Sequence, residues 1–234
     1  MSPLLRQHPP LALLPAPLLP RILLAALLAS AAGSATAERL DVAQFSQGKL
    51  EAWETESFVG HTRYQLEPLP GRGTVLSADS QASASGLFRK VKPDLGRTPW
   101  LHWSWKVDSL IGNADERSKG GDDYPARVYV VFSGGLLFWN TRAINYVWSG
   151  NQPVGSEWPN AYTARARMIA VQSGAEHLGQ WISEVRDVRA DYRRLFGEEP
   201  GPVAAVALMT DTDNTGRSAR AWYGDIWFSS DPAP

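Results

Sequence analysis

The clearest pattern along the chain is a series of short apolar and aromatic runs with the period of a β-strand. Between Leu101 and Val107, apolar residues alternate with polar ones, as in a strand with one face in a core. The run at 127–133, RVYVVFS, is β-branched and aromatic throughout, which indicates a strand buried on both faces. Other runs lie at 143–149, 164–172, 203–209 and 219–228, with weaker candidates at 40–45, 49–53, 74–78 and 82–90.

Turn signals rich in glycine and proline separate these runs. About ten short strands at this spacing favour a sandwich or barrel over alternating strands and helices. One helix is predicted, at 188–196 (VRADYRRLF), and Gly197 follows it in the position where glycine commonly ends a helix. The sequence therefore predicts an all-β protein, a single β-sandwich of jelly-roll type with one short helix.

The N-terminal 37 residues differ in composition from the rest. Arg6 and Arg21 are their only charged residues, the stretch 22–32 is apolar, and it leads to the small residues Ala35-Thr36-Ala37. This is typical of a secretory signal peptide. The apolar stretch is shorter than the roughly 20 residues that span a bilayer, which disfavours the alternative of an uncleaved anchor.

We therefore expect a signal peptide at 1–37 and a single mature domain at 38–234, with no stable membrane insertion after cleavage. The expected location is the periplasm, with release to the medium as the alternative. The chain has no cysteine, which excludes disulfides, thiol nucleophiles and thiolate metal sites. Its 23 basic and 24 acidic residues are nearly balanced, which argues against a nucleic-acid partner.

Motifs of several common enzyme classes are absent. The chain has no G-x-S-x-G, no H-E-x-x-H, no phosphate-binding glycine loop and no dinucleotide fingerprint. His102 lies opposite the apolar stripe of its strand, where a structural role is the better interpretation. Two long loops, at 109–124 and 150–162, are the expected position of binding residues on a rigid sandwich.

A candidate metal site lies at 211–216, DTDNTG, where Asp211 and Asp213 occupy alternate positions before a glycine. Oxygen ligands in this arrangement suit a hard cation such as calcium. A complete EF-hand loop would need an acidic twelfth residue, and that residue is Trp222. The alternative is a turn in which the Asp and Asn side chains bond their own backbone, the commoner use of these residues.

Other carboxylates suggest acid–base chemistry as an alternative. Asp122 and Asp123 precede the strand at 127–133, and they would share one site only if their loop is irregular. Glu184 and Arg186 fall on one face if their segment is a strand, where they would line a concave sheet or form a cross-strand salt bridge. A catalytic pair of Asp123 with Glu184 or Asp213 requires that these carboxylates converge in one cleft.

The ten tryptophans are the most unusual feature of the composition. We expect most of them in the core, Trp103 and Trp105 among them, because large aromatic side chains dominate buried area. Trp139, near a Gly-Gly turn, and Trp158, in a proline-containing loop, are the best candidates for exposure, and exposed rings stack on sugars. The predicted ligand-binding residues are Asp123, Trp139, Tyr146, Trp158 and Glu184.

Several segments together resemble a family of exported bacterial proteins known as domain of unknown function 3047. They lie at 121–132, 143–148, 164–174, 179–188, 191–197 and 209–228. The resemblance covers essentially the whole predicted mature chain. The family has no known activity, so the resemblance implies a family and not a reaction.

The two ends of the chain are similar to galactose-binding-like jelly rolls. The early strand contains Asp41 and Phe45, and the last reads YGDIWF at 223–228. In those domains the first and last strands pair, and an acidic residue of the last strand often helps to hold a structural calcium. The resemblance therefore implies that Asp225 is a calcium ligand, with Asp41 or Glu51 as its partner near the N-terminus. The predicted metal ligands are Asp211, Asp213 and Asp225.

These observations predict an exported, non-catalytic binding domain for carbohydrate or envelope glycan, with a structural calcium ion. The first alternative is a carboxylate-based hydrolase or lyase acting on envelope polysaccharide. The second is an assembly partner in the envelope, which a large exposed apolar patch would favour.

Overall fold

A computed structural model describes residues 38–112, 115–135 and 140–233, which belong to one compact unit. The predicted signal peptide at 1–37 lies outside the described residues, so the domain boundary at residue 37 stays a prediction. The strands are β1 (Arg39–Ala43), β2 (Glu54–Val59), β3 (Arg63–Leu69), β4 (Gly73–Gln81), β5 (Ala84–Lys90), β6 (Trp100–Val107), β7 (Arg127–Phe132), β8 (Arg142–Ser149), β9 (Glu157–Pro159), β10 (Ala166–Ser173), β11 (Ile182–Asp187), β12 (Val203–Met209), β13 (Ser218–Tyr223) and β14 (Ile226–Ser229).

The first sheet is organised around β6. Along one edge β6 pairs with β11, and along the other it pairs with β13 and then β14. Beyond β13 lie β4 and β3, and beyond β14 lies β1. The first and last strands are therefore antiparallel neighbours, with Leu40 opposite Phe228. This pairing confirms the similarity to galactose-binding-like jelly rolls at the two ends of the chain.

The second sheet has the order β2-β5-β12-β7-β8-β10-β9. Its neighbours are antiparallel except β8 and β10, which are parallel. The register of β2 on β5 shifts between Ser57 and Val59, which marks a β-bulge at Phe58. Across the middle of the sheet Tyr129 pairs with Asn145, and Asn145 pairs with Met168.

The hydrophobic core lies between the two sheets. On β6 the residues Leu101, Trp103, Trp105 and Val107 are buried in this core, as their alternation predicts. The intervening His102 belongs to the outer face, where its ring stacks on Trp227 at 4.9 Å between centroids and its Nε2 lies 2.7 Å from the Ser229 Oγ. The predicted all-β sandwich is confirmed.

The single α-helix of the described residues, α1 (Val188–Phe196), has the predicted bounds. The Asp187 carboxylate accepts the backbone N–H of Ala190 at 2.9 Å, and Gly197 has a left-handed φ of 72° at the end of the helix. In the part of the chain that the structure describes, no helix is long and apolar enough to cross a bilayer.

Three strand predictions are corrected by the structure. The stretch 49–53 is not a strand, whereas β2 and β3 lie outside the predicted runs because much of their length is exposed and their apolar pattern is weak. The predicted strand at 219–228 is two strands, which separate where Gly224 packs against Ser104 so closely that a side chain would collide. The strand β7 is fully buried on its inner face only, since Tyr129 and Val131 are half-buried.

Candidate functional site

The two long loops cover one end of the outer face of the second sheet. Glu116 anchors the first loop, because its buried carboxylate accepts the Ser149 hydroxyl and the Gly150 backbone N–H. The Tyr124 hydroxyl donates to the backbone carbonyl of Glu116 at 2.9 Å. A second, smaller apolar cluster forms beneath the loops, from Tyr124, Val147, Trp158, Met168 and Ala170. The loops are thus packed onto the sheet.

A cleft of about 510 Å³ lies next to these loops on the same outer face. Tyr129 of β7, Asn145 of β8, Ala166 of β10 and Met209 of β12 contribute to its lining. Outward-facing positions of four neighbouring strands therefore line it, as expected from the alternation of side chains along a strand.

Exposed apolar side chains surround this cleft. Phe58, Val59 and Tyr162 line it with 62%, 48% and 56% of their surface exposed. They are three of the five large apolar side chains that are exposed in the described part of the chain. The β-bulge in β2 places both Phe58 and Val59 at the cleft, because a bulge breaks the strict alternation of side chains.

A buried ion pair lies at the end of the cleft near the loops. The Nε of Arg127 donates to Asp211 Oδ1 at 2.7 Å, and one terminal nitrogen of the guanidinium bonds the other carboxylate oxygen. The same terminal nitrogen donates to the backbone carbonyl of Asp122. Because Arg127 and Asp211 are both buried and paired through two bonds, the charge of Asp211 is neutralised.

Two further carboxylates line the cleft. Asp122 Oδ2 accepts the Asn160 amide at 2.9 Å, whereas its buried Oδ1 has no hydrogen-bond partner and lies 3.7 Å from an Arg127 nitrogen. Burial raises the pKa of Asp122. Burial, and then the neighbouring carboxylate of Asp123, raise the pKa of Asp213. The cleft thus contains two acidic groups in surroundings that disfavour their charge.

Asn145 is the other polar group of the cleft whose bonding is incomplete. Its side chain is 1% exposed, and its Oδ1 has no partner within the described residues. A buried acceptor without a donor is costly, by about 1–3 kcal/mol, and such groups call for an explanation. A ligand hydroxyl or amine in the cleft would satisfy it.

Two of the predicted carboxylates, Asp123 and Asp213, lie close together but make different contacts. Asp123 accepts the backbone N–H groups of Asn214 at 3.2 Å and Thr215 at 2.7 Å. It therefore holds the turn at 211–216 against the first long loop. Asp213 lines the cleft, so the pair Asp123 and Asp213 lies in one region, as the acid–base hypothesis requires.

The predicted aromatic ligand contacts are corrected. Trp158, a predicted exposed ring, is buried beneath the loops, with its ring centre 6.5 Å from that of Tyr124. Tyr146 points into the sandwich core, where its hydroxyl donates to Asp191 at 2.9 Å. Tyr146 lies on the face of β8 that points into the core, whereas the cleft is on the opposite face. Trp139 lies outside the described residues.

Glu184, another predicted ligand-binding residue, does not line the cleft. It faces the interior from β11, where it accepts the Gln172 amide at 2.8 Å and the Trp105 indole N–H at 3.3 Å. Burial raises the pKa of Glu184 to about 7. The proposed pairing of Glu184 with Asp123 in one cleft is therefore wrong, because Glu184 bonds across the interior and does not line the cleft.

The predicted calcium ligands separate into two places. Asp211 and Asp213, together with Asp123, offer carboxylate oxygens that all lie within 4.8 Å of one another. Asp225 is not part of this group. Its carboxylate accepts the backbone N–H of Ser46 at 2.8 Å and the Ser46 hydroxyl, where it ties the last strand to the turn after β1. This corrects the assignment of Asp225.

The remaining three carboxylates do not fit the predicted calcium. Calcium takes six to eight oxygen ligands, about 2.3–2.6 Å away. Both oxygens of Asp211 bond Arg127, and both oxygens of Asp123 accept N–H groups of the turn. The guanidinium of Arg127 supplies the positive charge here.

The sequence pattern does not identify several residues of the cleft. Asn145 is a polar residue in the middle of an otherwise apolar strand, which is the signal that could have identified it. Tyr129 lies in a continuous run of β-branched and aromatic residues, whose pattern does not show which face of the strand is accessible to a ligand. Phe58 and Tyr162 lie in segments whose folding over the sheet depends on the tertiary structure.

The sequence profile of a family described as protein of unknown function, DUF3047, matches residues 51–227. The chain belongs to the DUF3047 family. This confirms the resemblance seen in its motifs. The cleft residues Phe58 to Asn214 all fall within the part of the DUF3047 protein that matches the family. No curated protein matches its sequence.

Solved structures show a similar fold at very low sequence identity. A family 30 carbohydrate-binding module of a cellulosomal cellulase from Clostridium thermocellum is 8% identical, with a TM-score of 0.50, over 84% of this chain and 99% of that one. A family 11 module from the same organism is 9% identical, with a TM-score of 0.43, over 82% and 94%. The family 30 module supports the jelly-roll assignment of the DUF3047 protein.

Proposed function

We propose that this DUF3047 protein is a non-catalytic binding domain that holds a carbohydrate in the cleft on the outer face of its second sheet. The observation that carries the proposal is the combination of exposed rings with unsatisfied acceptors in one cleft. Phe58 and Tyr162 provide the rings, and Asn145 and Asp122 provide the acceptors. The fold supports the proposal, since the family 30 neighbour is a carbohydrate-binding module.

The two kinds of group match the two surfaces of a sugar. The C–H face of a pyranose ring packs against aromatic rings, as other apolar groups do. Its hydroxyls are hydrogen-bond donors, which the free oxygens of Asn145 and Asp122 lack. Small-molecule sites commonly join an apolar lining to a few placed polar groups in this way.

We further propose that the domain is exported and binds an envelope glycan in the periplasm. The composition of residues 1–37 supports this proposal. Mass spectrometry of the protein purified from a Gram-negative host should give a mature N-terminus near Glu38 in the periplasmic fraction. Intact residues 1–37 in a membrane fraction would contradict it.

Affinity electrophoresis against envelope and plant polysaccharides tests the binding function. We expect at least one polysaccharide to retard the native protein, and the retardation to disappear in a Phe58→Ala and Tyr162→Ala double variant. Migration unchanged by every polysaccharide of the panel would contradict carbohydrate binding. A folded reference protein of similar size and charge controls for sieving by the gel.

A second candidate function is cleavage of the glycan by acid–base catalysis. It is favoured by one observation, that Asp122 and Asp213 line the same cleft and that burial raises the pKa of both. A carboxyl group whose pKa is raised holds its proton to a higher pH than an ordinary one, which favours a role as general acid. Release of reducing ends that is lost in Asp213→Asn would establish this activity in place of simple binding.

A further inference from the structure

Acidic side chains outnumber basic ones in the lining of the cleft. The charged side chains that line it within the described residues are Asp122, Asp211, Asp213 and Arg127, and neither lysine nor histidine is among them. Arg127 bonds both oxygens of Asp211, and another of its nitrogens lies 3.7 Å from Asp122 Oδ1, so one guanidinium charge faces the three carboxylates of the cleft. Asp122 and Asp213 are therefore left without a full counter-charge of their own.

The unpartnered atoms of the cleft are also of one chemical kind. Asn145 Oδ1 and Asp122 Oδ1 are both buried acceptors without a hydrogen-bond donor, on residues that are less than 5% exposed. Lys119 does not line the cleft, and its Nζ lies 5.3 Å from the ring centre of Tyr162 at the rim. The cleft thus offers acceptors and negative charge, and it needs donors and positive charge.

We infer that the glycan bound in this cleft carries free amino groups, as in a polymer of glucosamine. The inference rests on the proposed carbohydrate-binding function. A protonated sugar amine brings three N–H donors and one positive charge to Asp122 and Asp213. Hydrogen bonds between charged partners are about twice as strong as neutral ones, and they gain further where water is excluded.

The same arrangement discriminates against other glycans. A uronate polymer would place its carboxylates beside Asp122 and Asp213, and the like charges repel. A neutral polymer, or one whose amines are acetylated, satisfies the acceptors with hydroxyls but adds no positive charge beside the two carboxylates. The predicted order of affinity is therefore amino sugar, then neutral sugar, then acidic sugar.

Isothermal titration calorimetry at pH 6 tests this order with four soluble ligands. These are glucosamine hexasaccharide, N-acetylglucosamine hexasaccharide, cellohexaose and a galacturonic acid hexasaccharide. We expect the glucosamine hexasaccharide to bind at least tenfold more tightly than the other three. Equal or tighter binding of a neutral or acidic hexasaccharide would overturn the inference and leave carbohydrate binding intact. If none of the four binds, the inference fails, and the polysaccharide panel decides the proposed function separately.

A pair of matched variants tests whether the preference for amino sugars depends on the carboxylates of the cleft. Asp213→Asn keeps the shape of this half-buried side chain and removes its charge, so it should weaken glucosamine hexasaccharide binding about tenfold. Glu176→Gln removes an exposed charge that does not line the cleft, and it should leave the affinity unchanged. Equal losses in both variants would indicate general charge attraction and overturn the inference. Circular dichroism of each variant verifies that it is folded.

Discussion

The guanidinium of Arg127 and the carboxylate of Asp211 form a buried, two-pronged ion pair that connects β7 to the segment after β12. Arg127 also bonds the backbone carbonyl of Asp122, so one side chain joins three segments at the edge of the cleft. The pair engages both oxygens of Asp211, one of the residues that the sequence pattern assigns to a calcium site.

Removing one partner of this pair should strongly destabilise the protein. In Arg127→Met the buried Asp211 carboxylate loses its counter-charge, which typically costs about 3–5 kcal/mol. Urea unfolding at pH 7 measures the loss. A double variant, Arg127→Met with Asp211→Asn, should recover part of it, because the unpaired charge is removed.

The exposed pair of Arg63 and Asp79 provides the control. Arg63 is a surface side chain, so Arg63→Met should cost less than about 1 kcal/mol. If Arg127→Met were as mild as this control, the pair would not hold the loop and strand together.

Calcium should have no effect on the stability of the wild-type protein. The oxygens of Asp211 and Asp123 are already engaged by N–H donors, and the charge of Arg127 repels a cation. We expect the same Tm in 5 mM calcium and in excess EDTA, measured by differential scanning fluorimetry. Because a ligand of the native state raises Tm, a calcium-dependent rise that EDTA reverses would show that a metal binds after all.

The exposed rings of the cleft should carry much of the ligand affinity. Tyr162→Ala removes a ring that is 56% exposed at the rim, and we expect glycan affinity to fall at least tenfold with little change in Tm. Val154→Ala is the matched control, since Val154 is 64% exposed and does not line the cleft. A similar loss of affinity in both variants would argue against stacking in the cleft.

Glu184 should make the protein less stable as the pH rises. Burial raises its pKa to about 7 in the folded state, whereas an unfolded chain ionises near the usual value of 4.5. The folded state therefore keeps a proton that the unfolded state has lost. The bound proton makes its full contribution to the free energy of unfolding below pH 4.5. This contribution is lost as the pH rises through 7.

The isosteric variant Glu184→Gln isolates this effect. It keeps an acceptor for the Gln172 amide and the Trp105 indole but cannot ionise. We expect it to unfold at a higher urea concentration than wild type at pH 8, by roughly 1–3 kcal/mol, and to match wild type near pH 4.5. A difference that does not change between these pH values would disprove titration of Glu184.

The first long loop should not tolerate a side chain at Gly121. An added Cβ would overlap the backbone carbonyl of Asp115, and backbone cannot move aside as a flexible side chain can. Gly121→Ala should therefore destabilise the protein by about 1–3 kcal/mol and weaken glycan binding, because the loop carries Asp122. Gly120→Ala is the control, since a Cβ there meets nothing within 4 Å. Equal Tm values for the two variants would contradict this packing.

Local sequence patterns determined the class of fold. The alternation from Leu101 to Val107 gives one buried face, and the turn residues between runs limit the length of each strand. The helix at Val188–Phe196 is set by Asp187 and Gly197, whose capping contacts lie within four residues. Such features depend on neighbours along the chain, so the sequence alone predicts them.

The cleft depends on contacts between distant parts of the chain. Asp123 meets Asn214, and Arg127 meets Asp211, across more than 80 residues. Which face of β7 is covered, and by which loop, follows from strand order and register, and local periodicity does not encode either. Trp158 is the clearest case, because its loop predicts exposure while packing against Tyr124 buries it. The sequence by itself therefore determined a β-sandwich of the DUF3047 family, and long-range pairing decided where its ligand surface lies.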